Sequence, residues 1–130
     1  MDKKSKDKGI DRRDQIDISC SWDIQQIKQC QQLLNSDDYE LIVNKFFNDI
    51  NNIQILINAI HLRKNDAISI ECHKLKGAAQ LIGFVGVVKI IQEIEKLIEQ
   101  HINIDPIDFS KRLNTEWVQG QASFKKLTKN

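Results

Sequence analysis

Apolar positions recur at spacings of three and four along most of this chain, the period of an α-helix that buries one stripe. Trp22, Ile24, Ile27, Cys30 and Leu33 or Leu34 supply one such face. They predict a short helix from Trp22 to about Leu34, with Ser21 as its N-cap. Ser36, Asp37 and Asp38 open the next element and set acidic side chains at a positive helix end. Its apolar set is Leu41, Ile42, Phe46, Ile50, Ile53, Leu56, Ile57 and Ile60, which predicts one long helix ending near Leu62. The isoleucines around Ile53 have the composition of a strand, but their spacing selects a helix.

Arg63-Lys64-Asn65-Asp66 reads as a turn in which Asn65 or Asp66 caps a helix with Ile68, Cys72, Leu75, Ala79 and Ile82 on one side. Gly83 is its stop signal. A further helix is expected from about Val85 to His101, with Val88, Ile91, Ile94 or Glu95, and Ile98 near its seam. Asp105-Pro106 restarts the chain, since proline is tolerated in a first helical turn. The last helix, about Ile107 to Leu127, buries Phe109, Leu113, Trp117 and Phe124 and is weakened at Gly120. The pattern predicts an all-α fold, an antiparallel four-helix bundle with a short additional N-terminal helix, over residues 21–130. Residues 1–20 carry mixed charge with little to bury and read as a flexible leader or linker.

Composition narrows this picture. With 130 residues there is room for one core, and one proline with five glycines offers little turn chemistry for an all-β fold. A net charge of +1 gives no footprint for nucleic acid. No apolar run approaches the roughly 20 residues needed to span a bilayer, because Phe84 to Ile91 is already interrupted by Lys89. The charged start from Asp2 to Lys8 lacks the apolar core of a signal peptide. Three cysteines, Cys20, Cys30 and Cys72, are an odd number without metal-like spacing, which points to a reducing, cytoplasmic setting.

The candidate chemistry lies in Glu71-Cys72-His73-Lys74-Leu75-Lys76-Gly77-Ala78-Ala79. At about 100° per residue, His73 falls opposite the apolar stripe, among Asp66, Ser69, Lys76, Gly77 and Gln80. A lone histidine on an apolar face is usually a packed core residue, and this one is on the wet face. Residues three and four apart are neighbours on a helix, so Lys76 and Gly77 flank the imidazole. Glycine inside a helix costs roughly 0.5–1 kcal/mol relative to alanine, so Gly77 reads as clearance for something that approaches. An exposed lysine is most often only a solvated charge, but beside His73 and Gly77 an electrostatic role is the better reading. A phosphoryl group carries nearly two negative charges near neutral pH, and an ammonium one turn away offsets part of them. Ile70, Leu81 and Phe84 flank this face and would add apolar contact for a partner, with Ser69 beside them.

At these residues the chain resembles the histidine-containing phosphotransfer domain of multistep bacterial phosphorelays, most closely those at the C-terminal ends of hybrid sensor kinases. The match rests on His73-x-x-Lys76-Gly77-Ala78-Ala79, on Gly83 ten residues after the histidine, and on Ile91-Gln92-Glu93-Ile94-Glu95. It covers roughly residues 37 to 128. The resemblance implies a helical bundle without kinase activity or a nucleotide site, which takes a phosphoryl group from a receiver-domain aspartate and gives it to another. Carried over, His73 is the phosphorylation site, Lys76 its electrostatic neighbour, Gly77 the clearance position, and Gln80 part of the receiver contact. Small residues are frequent at the Gln80 position, so its side chain would tune the fit. The expected partners are response-regulator receiver domains, with or without a hybrid sensor kinase in the same chain. No cofactor is expected here, since the magnesium belongs to the receiver.

Rival readings are weaker. In a metal- or haem-binding bundle, Glu71, Cys72 and His73 would point in different directions, and no Glu-x-x-His repeat accompanies them. A histidine-kinase dimerisation unit would want a two-helix hairpin and a nucleotide domain. A non-catalytic helical adaptor is the remaining alternative. A monomer is expected, because the bundle buries its own stripes.

Overall fold

The computed structural model describes residues 21–128, and the predicted leader lies outside them. Among the described residues six helices follow in order: α1 (Ile24–Leu34), α2 (Ser36–Asn48), α3 (Asn51–His61), α4 (Asn65–Ile82), α5 (Val85–Glu99) and α6 (Pro106–Thr128). Helices α3, α4, α5 and α6 pack in a ring, each on its sequence neighbour, and α6 closes back on α3. The short connections make successive helices antiparallel, so this ring is the predicted four-helix bundle. Helix α1 lies on α2 and α4, and α2 reaches α6. Among the described residues no helix is long and apolar enough to cross a membrane.

Several boundaries differ from those predicted. The long helix through Ile50 is two helices. Asp49 turns extended, and its carboxylate accepts from the Asn51 N–H at 3.1 Å, while the Asn52 amide donates to the Phe46 carbonyl at 2.8 Å. These polar side chains satisfy backbone groups that a continuous helix would have paired internally. The break also sets the face of α2, which buries Tyr39, Val43, Phe46 and Phe47 and leaves Leu41, Ile42 and Ile50 exposed.

Ser21 is not the cap of α1. Asp23 takes that place, accepting from the Gln26 N–H at 3.2 Å. Ser21 is fully buried instead and donates to the Glu116 carboxylate at 2.7 Å. On α1, Ile27 is buried while Leu33 and Leu34 are exposed, so neither leucine belongs to its packing face. Helix α4 begins at Asn65 itself, with Lys64 in the cap position and no side-chain cap. Helix α5 stops at Glu99, short of His101, which turns at φ 58°.

Every aromatic side chain except Phe109 joins one cluster, in which Phe84 touches Trp22, Phe46, Phe47 and Trp117. Trp22 reaches it through an isolated antiparallel bridge to Phe84, held by the Asp23 N–H to the Gly83 carbonyl at 2.8 Å. The cluster pins the C-terminal end of α4 and fixes how that helix is rotated.

Candidate functional site

The α4 stripe is buried as the spacing predicts: Ile68, Cys72, Leu75, Ala79 and Ile82 all face the core. Burial of that stripe dictates what the other side presents. Asp66, Ser69, His73, Gly77 and Gln80 are exposed. Gly83, at φ 93°, ends the helix in the left-handed conformation that glycine adopts without a Cβ clash.

His73 stands partway along α4 with its imidazole in water. One turn on, a Cβ built on Gly77 would meet nothing within 4 Å. The bundle itself therefore has no packing need for glycine there, and its absent side chain clears outer space alone. Lys76 is half-buried and reaches across to α5, where its ammonium donates to both oxygens of Glu95 at 2.9 and 3.1 Å. In the sequence Glu95 falls near the α5 seam, with no local signal that pairs it with Lys76. Only the packing of α4 on α5 brings residues nineteen apart together.

Two open grooves border the α4 ridge. The one toward α5 has a volume of about 650 Å³ and is lined by Ser69, Lys76, Gln92, Glu95 and Lys96 among others. The one toward α3, about 220 Å³, is lined by Asn52, Ile55, Glu71, Lys74 and Ala78 among others. Both grooves carry charge: the Lys76–Glu95 pair stands on the α5 side, and Glu71 and Lys74 pair at 3.5 Å on the α3 side. On the helical wheel, Ile70, Gly77 and Leu81 fall on the α3 side. Ile70 and Leu81 are 55% and 69% exposed, whereas Phe84 is fully buried. Phe84 accordingly cannot offer the apolar partner contact expected of it, because its ring is enclosed by the aromatic cluster.

Cys72 lies beneath the Lys76–Glu95 pair. Burial, and then the Glu95 charge, push its thiol up to about 12, so it stays protonated and packs as a small hydrophobe. His61 is elsewhere, sharing a 3.0 Å hydrogen bond with Ser110, and His101 sits in the α5–α6 connection. Among the described residues, no three His, Cys, Asp or Glu side chains come together as a metal site.

Residues 23–119 match the Hpt domain family, a span that takes in α1 to α5, the histidine motif and most of α6. The chain belongs to that family. Hpt domains are helical phosphocarriers of phosphorelays rather than kinases, and they work with response-regulator receivers. No curated protein and no solved structure gives a significant match.

Proposed function

We propose that His73 is the phosphoacceptor of this Hpt domain, taking a phosphoryl group from the aspartate of one receiver and passing it to the aspartate of another. The observation that carries this reading is the exposed imidazole on α4 with Lys76 on one flank and the unfilled space over Gly77 on the other.

A neutral imidazole nitrogen attacks the phosphorus of the receiver's aspartyl phosphate. The N–P bond forms as the acyl P–O bond breaks, and the carboxylate leaves with the electron pair. Donation to the next receiver runs the same exchange in reverse. An imidazole nitrogen is a nucleophile in its own right and needs no separate general base, as a serine hydroxyl would. Phosphoryl transfer of this kind needs positioning and charge stabilisation more than covalent help. Lys76 supplies part of the charge, and the receiver brings the metal and the aspartate.

The receiver sits over the α3 side of the ridge, where Ile70 and Leu81 give exposed apolar contact and Gly77 lets it come close. Ser69 and Gln80 stand on the α5 side of His73 and would meet the receiver at the edge of that contact. The phosphoryl group then lies toward α5 and Lys76. We place the protein in the cytoplasm as a monomer, alone or as a module of a hybrid sensor kinase.

The test is transfer from a phosphorylated receiver. Label that reaches this chain and is lost in acid but kept in alkali supports a phosphohistidine, while an acid-stable label contradicts it.

A further inference from the structure

Among the described residues, Lys76–Glu95 is the ion pair that ties α4 to a neighbouring helix, and both side chains are partly shielded, at 25% and 31% exposure. A lysine ammonium has three N–H donors, and here two contacts go to one carboxylate. A phosphoryl group on His73 would arrive one turn away with nearly two negative charges. It would seek the same ammonium, and Glu95 would lie close enough to repel it. Glu95 has other company to fall back on, since Gln92 and Lys96 line the same groove.

We propose that Glu95 is a positioning residue that competes with phosphorylated His73 for Lys76 and so keeps the phosphoryl group easy to give away; this rests on the phosphotransfer reading of His73. As the N–P bond forms and the aspartyl P–O bond breaks, Lys76 turns from Glu95 toward the phosphoryl oxygens. Glu95 is left to water, Gln92 and Lys96. When the group moves to the next aspartate, the N–P electron pair returns to the ring and Lys76 returns to Glu95. Losing the ion pair burdens only the phosphorylated state, so Glu95 shifts the equilibrium toward free histidine. Such a bias suits a carrier, whose phosphorylated form must not be too stable.

The experiment compares wild type with Glu95→Gln, which keeps the size and a carbonyl oxygen for Lys76 but removes the charge. At equilibrium with a phosphorylated receiver, the variant should raise the partition constant toward His73 about three- to tenfold, the scale of a partly exposed ion pair. An equal or lower partition would overturn the proposal, the lower value meaning that Glu95 aims Lys76 to the benefit of the phosphorylated state. A second readout needs no receiver. Phosphoramidate installs the phosphoryl group chemically, and the Lys76 ammonium resonance is followed by NMR in the wild type. It should shift on phosphorylation, and an unmoved resonance would sink the exchange. If no receiver trades phosphoryl groups with His73 while that resonance does shift, the competition stands and the phosphorelay reading fails.

Discussion

The edge of the Phe84 ring occupies the place where residue 120 would carry its side chain: a Cβ on Gly120 would lie 2.3 Å from Cε1 and 2.5 Å from Cζ. The same Gly120 carbonyl accepts the Trp22 indole N–H at 2.9 Å. A glycine that reads in sequence as a weak point of α6 is therefore where the last helix closes on the aromatic cluster. It anchors the end of α4 some distance from the histidine itself.

Gly120→Ala should destabilise the fold. Overpacking a well-filled core costs about 1–3 kcal/mol, more than the roughly 1 kcal/mol that alanine returns in helix propensity. Phe84 has little room to yield, with aromatic rings on several sides. Urea unfolding should show a lower midpoint at unchanged slope, and a midpoint equal to or above wild type would refute the packing argument.

Gly77→Ala should do the opposite. Nothing lies within 4 Å of the new methyl, so helix propensity alone acts and stability rises by about 0.5–1 kcal/mol. Phosphoryl exchange with a receiver should nonetheless slow, and Gly77→Leu should slow it further. A variant that is more stable and equally fast would remove the clearance role from Gly77.

Ile70→Glu and Leu81→Glu should each raise the receiver concentration needed for half-maximal transfer, by roughly tenfold if the residue is a contact of ordinary hot-spot size. Both positions are exposed, so melting temperatures should stay close to wild type. Unchanged concentration dependence in both variants would move the docking surface away from the α3 side.

Glu116 gives a pH test of stability. Burial raises its carboxyl above the usual glutamate range, against opposing contributions from the Ser21 hydroxyl and the charge of Lys89. The folded state thus holds this proton more tightly than the unfolded chain, and the corresponding stability is lost as pH rises through the raised value. Glu116→Gln keeps an acceptor for Ser21 and removes the charge. Its melting temperature should gain on wild type as pH goes from about 4 to 7, since an unperturbed glutamate titrates near about 4.3. A difference that does not vary with pH would point to packing rather than charge.

Much of this molecule was legible in its sequence. The α4 stripe, the exposure of His73 and the stop at Gly83 follow from helical period and glycine conformation, which are local rules. Residues that answer to distant partners were not. Ser21 looks like a cap because serine usually is one near a helix start, yet Glu116 on α6 claims its hydroxyl. The break after Asn48 was hidden because Ile50 and Ile53 keep the apolar rhythm running through it. The run Asp49, Asn51 and Asn52 was the available signal, since such side chains bond local backbone in turns. Phe84 follows a helix-ending glycine and has the look of a surface residue, but the rings that enclose it come from the segment before α1, from α2 and from α6. The Lys76–Glu95 pair likewise needed the α4–α5 register, which periodicity does not supply.

Single-turnover transfer from a phosphorylated receiver to wild type and to His73→Gln decides whether His73 carries the phosphoryl group. The account predicts an acid-labile label on the wild type and none on the variant, with the variant's fold intact by circular dichroism. Equal labelling of the two proteins would place the acceptor elsewhere. No label on either, across several receivers, would contradict phosphotransfer and leave a helical adaptor that borrows the Hpt fold.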